Sequence, residues 1–116
     1  MFNLISLAEV RRTTISQNSA RRGGGAFNTT LSSLSITNSV VSGNKASQDG
    51  GGIFNTGAFE YFPYYYPAGH LSLVDSTISQ NRAGNSGGGL FNEGSLNNAN
   101  STISGNRARF GPDIFP

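Results

Sequence analysis

The sequence predicts an all-β fold, a right-handed single-stranded parallel β-helix of about four coils. Three observations support this: a repeat of about 25 residues, a composition rich in Gly, Asn, Ser and β-branched residues, and short stretches of alternating apolar and polar residues. A helix-free unit of this length matches one coil of a solenoid, whose successive coils lie ~4.8 Å apart. Right-handedness follows from the general preference of parallel crossover connections.

Composition excludes several other classes of protein. Of the 116 residues only 12% are charged, about half the usual ~25%, which excludes a charged coil or a coiled coil. The chain has no cysteine, and therefore neither a disulfide framework nor a thiolate metal site. The net charge of +2 is too weak to indicate nucleic-acid binding. No apolar run reaches the ~18 residues of a membrane helix, and no signal peptide is visible.

Each repeat joins a β-branched segment ending in Asn to a glycine triplet followed by an apolar residue, Phe and Asn. The segments end at Asn18, Asn44, Asn81 and Asn106. Their spacings are 26, 37 and 25, and the 37 becomes 25 when the 12 residues 58–69 are set aside as an insertion. The glycine blocks are 23–28, 50–55 and 87–92, with a decayed copy at 111–116. The predicted coils lie near 8–30, 31–57, 70–94 and 95–116.

Stacking of the coils turns each repeated position into a column of like residues. The inward apolar columns are predicted at Ile15, Val41, Ile78 and Ile103, and at Ala26, Ile53, Leu90 and Ile114. The four Asn residues recur at a bend, where Asn tolerates left-handed backbone and can hydrogen-bond from coil to coil. A Phe column comprises Phe27, Phe54, Phe91 and Phe115. Strict alternation points it outward, whereas a bend at that position would tuck it inward.

The repeat also carries a family resemblance. Residues 100–108 read Asn-Ser-Thr-Ile-Ser-Gly-Asn-Arg-Ala and follow the Gly-Gly-Gly-Leu-Phe-Asn block at 87–92. This pattern resembles the repeats of bacterial secreted right-handed β-helix proteins. It is also similar to the polymorphic outer-membrane protein repeats of chlamydia-like bacteria, which pair a Gly-Gly-Ala-Ile block with Phe-x-x-Asn, although Phe and Asn are adjacent here. The resemblance implies a pectate-lyase-like solenoid, part of a longer chain, that is exposed on or released from a bacterial surface.

The acidic residues form no catalytic pair in the predicted register. Acid/base cleavage of a glycosidic bond needs two carboxyl groups held ~5–9.5 Å apart. Asp75 falls in a column of asparagines and Glu93 in a column of threonines, so neither has an acidic neighbour above or below. Glu60 lies in the insertion and would need the loop to fold back to meet a partner. We therefore expect no catalytic residues and no enzyme.

Metal and cofactor sites are not expected either. A calcium-binding β-roll needs an Asp at the same place in each glycine-rich repeat, but the counterparts of Asp49 are Arg22 and Ser86. His70 is the single histidine, and one imidazole beside a turn is more often a loop residue than a metal ligand.

The insertion is the best candidate for a binding feature. Its candidate binding residues are Tyr61, Phe62, Tyr64, Tyr65 and Tyr66. Insertions leave a solenoid on one face, which is often the binding face, and Tyr provides a large contact area at low entropic cost. The alternative is that the loop folds back and shields the coil or an outward Phe column.

The expected function is a non-enzymatic repeat segment of a bacterial cell-surface or secreted protein, serving as a spacer or an adhesin-like surface. The alternative is a β-helix module that binds or cleaves a polysaccharide through the aromatic insertion. Expected partners are further coils of a longer parent chain or a second copy joined through the C-terminal coil, and a glycan or host surface protein. Residues 1–7 are apolar enough to cover the first coil, whereas Ile114 and Phe115 leave a strand edge at the last one.

Overall fold

The computed structural model describes the backbone of residues 2–3 and the whole of residues 7–116. The expected cover of the first coil by residues 1–7 therefore lies largely outside the described residues.

Four coils of short strands follow one another along the chain. Coil 1 comprises β2 (Leu7–Arg11), β3 (Thr14–Ser16), β4 (Ser19–Arg22) and β5 (Ala26–Asn28), preceded by β1 (Phe2–Asn3). Coil 2 comprises β6 (Ser33–Thr37), β7 (Val40–Ser42), β8 (Lys45–Asp49) and β9 (Ile53–Asn55). A hairpin of β10 (Phe59–Tyr61) and β11 (Tyr64–Tyr66) comes next. Coil 3 comprises β12 (His70–Val74), β13 (Thr77–Ser79), β14 (Arg82–Ala83) and β15 (Leu90–Asn92). Coil 4 comprises β16 (Ser95–Ala99), β17 (Thr102–Ser104) and β18 (Ile114–Phe115).

The coils stack into four parallel sheets. The first sheet has the order β2-β6-β12-β16, the second β3-β7-β13-β17, the third β4-β8-β14, and the fourth β1-β5-β9-β15-β18. Equivalent residues of successive coils face each other, as Ile78 does between Val41 and Ile103. The predicted parallel β-helix is thus confirmed, and its register is that of the sequence repeat.

The glycine triplets and apolar columns produce this stacking for a steric reason. A Cβ on Gly52 would lie 2.6 Å from the Gly89 carbonyl oxygen of the next coil and 2.9 Å from Asn81 Nδ2. Only glycine permits that approach. The core between the sheets consists of Ala26, Leu34, Ile36, Val41, Ile53, Leu71, Leu73, Ile78 and Leu90. Full burial of each Leu or Ile contributes about 1.5–3 kcal/mol.

A short segment of the repeat before coil 1 escaped the sequence reasoning. Phe2 pairs with Phe27 and Asn3 with Asn28, in the register that joins the Phe-Asn pairs of the later coils. The two residues are therefore one more copy of the Phe-Asn pair. A two-residue match is too short to be recognised as a repeat from the sequence alone.

The bend at the Asn column differs in detail from the expectation. The left-handed residues are those just before each Asn: Gln17, Gly43, Gln80 and Gly105, with φ between 56° and 70°. The tolerance of Asn for this conformation is instead used at Asn38 and Asn100, which share a corner with Asp75.

The Asn column is a continuous hydrogen-bonded ladder. The backbone N–H and Nδ2 of Asn44 both donate to Oδ1 of Asn81, at 2.9 and 3.0 Å. Asn81 donates in the same way to Asn106, and Asn18 to Asn44. The side chains of Asn44 and Asn81 are buried, so the ladder satisfies donors that water cannot reach.

The Phe column lies on the outer face, and its two central rings are nevertheless buried. Phe54 and Phe91 are 6% and 8% exposed, and their ring centroids are 4.7 Å apart in a stacked arrangement. Neither belongs to the central core cluster. Instead, the ring of Phe54 stacks on its neighbours, and a Cβ on Gly50 would lie 2.9 Å from its Cβ. Strict alternation thus holds, and a coil-to-coil stack over the glycine turns excludes water.

Candidate functional site

The aromatic insertion forms a hairpin that leaves the coil and returns to the same point. The N–H of Gly69 donates to the Thr56 carbonyl at 3.0 Å, which closes the base of the hairpin. Thr56 and Gly69 take the place that Glu93 and Gly94 hold one coil later, so the extra residues are 57–68, one position earlier than expected. The hairpin is thus inserted without changing the path of the coil.

The hairpin projects into solvent. Phe62 is 93% exposed, Tyr61 is 67% exposed and Tyr65 is 64% exposed. These fractions are inconsistent with a loop that folds back to shield the coil. One backbone bond, from Leu31 N–H to the Pro67 carbonyl at 2.9 Å, ties its end to the turn between coils 1 and 2.

The candidate binding residues divide between two faces. Phe59 pairs with Tyr66 and Tyr61 with Tyr64, and such cross-strand pairs share a face. Tyr65 pairs with Glu60 on the opposite face, and Phe62 lies at the turn. The structure therefore adds a residue that the sequence reasoning did not select, Phe59, to a face of four aromatic rings. The alternation of residues 59, 61, 64 and 66 across a two-residue turn was the available signal.

Four of the six acidic side chains act as hydrogen-bond acceptors, and one of them, Glu9, accepts from Arg11 Nε at 2.7 Å. Asp49 accepts from Asn85 Nδ2 and from the Ser86 N–H, each at 3.1 Å. Asp75 accepts from Asn100 Nδ2 at 2.7 Å. Asp113 accepts from the backbone of Asn106. These contacts give the carboxylates structural roles.

Within residues 2–3 and 7–116, no group of three or more His, Asp or Glu side chains could hold a metal ion together. His70 is hydrogen-bonded through Nδ1 to the Ser95 hydroxyl.

A basic face was not anticipated from the sequence. The residue after each Asn of the ladder is Ser19, Lys45, Arg82 or Arg107. Lys45, Arg82 and Arg107 are exposed and in register on the third sheet and its extension into coil 4. We refer to these three residues as the basic column. The alignment of the four repeats already contained this signal, because the three cations occupy one repeat position.

Parallel strands in register, an apolar interior and a buried Asn ladder define a β-helix repeat protein. Two segments of the chain, residues 38–56 and 75–93, match the family model of the Chlamydia polymorphic membrane protein repeat. They cover β7 to β9 of coil 2 and β13 to β15 of coil 3, and they confirm the resemblance found in the sequence. The match supports a repeat segment of a surface protein.

No curated protein and no solved structure matches the chain. The part of the chain that the structure describes contains no helix long and apolar enough to cross a membrane.

Proposed function

We propose that the chain is an adhesin-like repeat segment of a bacterial surface protein, in which the solenoid is a spacer and the hairpin makes the contact. The observation that supports the surface setting is the match of both central coils to the polymorphic membrane protein repeat. The observation that supports adhesion is the exposure of the hairpin.

The hairpin has the properties of a contact surface. Phe59, Tyr61, Tyr64 and Tyr66 share one face. Exposed rings of this size are unfavourable in water unless a partner covers them. The coil holds the base of the hairpin through the bond between Gly69 and Thr56, which limits the entropy lost on binding.

The same rings favour a second candidate, binding of a neutral polysaccharide. Tyr rings stack on the apolar faces of sugars, and their hydroxyl groups can hydrogen-bond to sugar hydroxyls. Cleavage receives no comparable support, because Glu60 faces Tyr65 across the hairpin rather than a second carboxylate.

A cell-adhesion assay tests the proposal. Beads coated with the protein should adhere to cultured epithelial cells, and beads coated with a variant lacking residues 57–68 should not. Y61S/Y64S should weaken adhesion more than F62S, since the first variant removes two rings from one face. Adhesion that survives the deletion would refute a role of the hairpin. Binding of the protein to a neutral glycan array, lost in Y61S/Y64S, would favour the second candidate.

A further inference from the structure

The basic face holds most of the cations of the chain, and two of them, Arg22 and Arg109, also lie over the rings of Phe54 and Phe110. Six of the eight Lys and Arg residues lie on or beside the third sheet: Arg21, Arg22, Lys45, Arg82, Arg107 and Arg109. The acid on this face is Asp49, which is 14% exposed at its side chain and is already engaged by Asn85 and Ser86.

The basic column places like charges directly above one another. Lys45 is in register with Arg82, and Arg82 with Arg107, so neighbouring residues are one coil spacing, ~4.8 Å, apart. Like charges in directly opposed positions destabilise a sheet. The neighbouring position is alanine in all four coils, at Ala20, Ala46, Ala83 and Ala108, and it is buried at Ala46 and Ala83, so the core does not require a cation beside it.

The basic column is not neutralised by the rest of the chain. Among residues 7–116, ion pairs join Arg11 to Glu9 and Arg22 to Asp49, and none reaches Lys45, Arg82 or Arg107. The column is therefore a row of three exposed, uncompensated cations.

Grooves flank the two arginines of the basic column, Arg82 and Arg107, on both sides. One, of about 220 Å³, is lined by Arg82, Gly84, Arg107 and Arg109. The other, of about 270 Å³, lies between Gln80 and the same two arginines. A third hollow of about 580 Å³ extends the face over coil 1, beside Arg21 and Arg22.

We propose that the basic column binds a linear anionic polysaccharide that carries a sulfate or carboxylate group on each sugar. The rise of one pyranose along an extended chain is close to the coil spacing, so successive anionic groups can meet successive cations. Guanidinium groups bind both anions with two parallel hydrogen bonds, and the grooves can take the sugar rings. Duplex DNA fits less well, because the phosphates of each strand wind around the helix with an axial rise of about 3.4 Å per nucleotide and do not form a straight row at the coil spacing.

The test compares two double variants that lower the net charge equally. R82Q/R107Q removes two members of the basic column, and R11Q/R12Q removes two cations from the first sheet and its corner. The probes are dextran sulfate, neutral dextran and a duplex DNA fragment, titrated by fluorescence anisotropy at physiological ionic strength. Loss of the paired hydrogen bonds should weaken dextran sulfate binding at least about tenfold in R82Q/R107Q. R11Q/R12Q should weaken it by less than about threefold.

Three results would overturn the proposal. Equal losses in the two variants would show attraction by net charge alone. Tighter binding of duplex DNA than of dextran sulfate would assign the face to nucleic acid. Binding of neutral dextran as tight as that of dextran sulfate would show that the cations do not contribute to binding. Circular dichroism should show that each variant is folded. The hairpin has the same sequence in both variants, so the outcome is independent of the proposed adhesion.

A second inference comes from coil 4, where two side chains end the polar ladders. The N–H and Nδ2 of Asn106 donate to Oδ1 of Asp113 at 3.1 and 3.0 Å, as each earlier Asn donates to the Asn of the following coil. The N–H of Ser101 donates to Oδ1 of Asn98 at 3.1 Å, whereas Thr13, Ser39 and Ser76 donate to a serine hydroxyl of the following coil.

Both residues depart from the repeat. Asp113 stands where the other coils have the third glycine of the triplet, and Asn98 stands in the column of Ile36 and Leu73. We infer that Asn98 and Asp113 cap the solenoid, supplying from within coil 4 the acceptors that a further coil would bring. Coil 4 can therefore take up another coil, or a second copy, only when these two side chains move away.

Hydrogen exchange and sedimentation test the cap. In the parent protein, the amides of Ser101 and Asn106 should be protected from hydrogen exchange. N98L should speed the exchange of the Ser101 amide, and D113G that of the Asn106 amide. The double variant N98L/D113G should associate end to end at concentrations where the parent stays monomeric. Fast exchange of both amides in the parent, or a folded double variant that associates no more than the parent, would contradict the inference.

Discussion

The Asn ladder allows a test of the register in which the same substitution is made at two levels of the stack. Asn81 lies in coil 3, is 1% exposed and uses its whole amide. Its Oδ1 accepts from the N–H and Nδ2 of Asn44, and its Nδ2 donates to the Val41 carbonyl and to Asn106 Oδ1. Asn18 occupies the same column at the first coil and is exposed.

The expected magnitude follows from the groups that lose their partners. N81A leaves the buried N–H of Asn44 without an acceptor and removes one of the acceptors of its Nδ2. An unsatisfied buried donor costs about 1–3 kcal/mol, so we expect a loss of about 2–4 kcal/mol in the free energy of unfolding. N18A removes one donor at the edge and leaves Asn44 Oδ1 bonded to the Asn18 amide, so its cost should stay below about 1 kcal/mol.

Urea unfolding followed by far-ultraviolet circular dichroism measures both losses. The dependence of the free energy of unfolding on urea concentration should be the same for the two variants and the parent protein. Equal slopes would show that each variant changes the stability and not the surface exposed on unfolding. Since a domain is stable by only about 5–15 kcal/mol, N81A should shift the midpoint strongly. Equal losses for N81A and N18A would refute the argument that the ladder, rather than the amide itself, stabilises the stack.

Three further predictions follow from the same register. I78D places a charge in a fully buried core position and should abolish the thermal transition seen by circular dichroism, whereas T77D at the exposed neighbour should change the melting temperature little. Deletion of residues 57–68 should leave the β-rich spectrum intact, and loss of folding would show that the hairpin supports the coils. G52A should destabilise the protein more than G105A in urea unfolding. A Cβ at Gly52 meets backbone and Asn81, whereas a Cβ at Gly105 meets no atom within 4 Å and costs only the strain of a side chain at a φ of 70°. The reverse order would contradict the close approach.

The stacking was predictable from the sequence because the alignment of the repeats is also the register of the strands. Coils in register must place like residues together, so aligning the Asn positions was enough to find the apolar and Asn columns. The face of the Phe column was not predictable in the same way. Phe54 is outward by alternation yet buried, because a glycine turn and two neighbouring rings cover it. That depends on coil packing, which alternation within one strand does not describe.

Residues that depart from the repeat indicate the features that stacking does not explain. A position that obeys the repeat is explained by the stack, since a column of Ile or Asn stabilises every coil in the same way. Asn98 and Asp113 look like decay when aligned with the other coils, yet each supplies an acceptor inside coil 4. The hairpin interrupts the period without interrupting the coil path. In a solenoid, exceptions to the repeat are therefore the places to look for termination and for contact with other molecules.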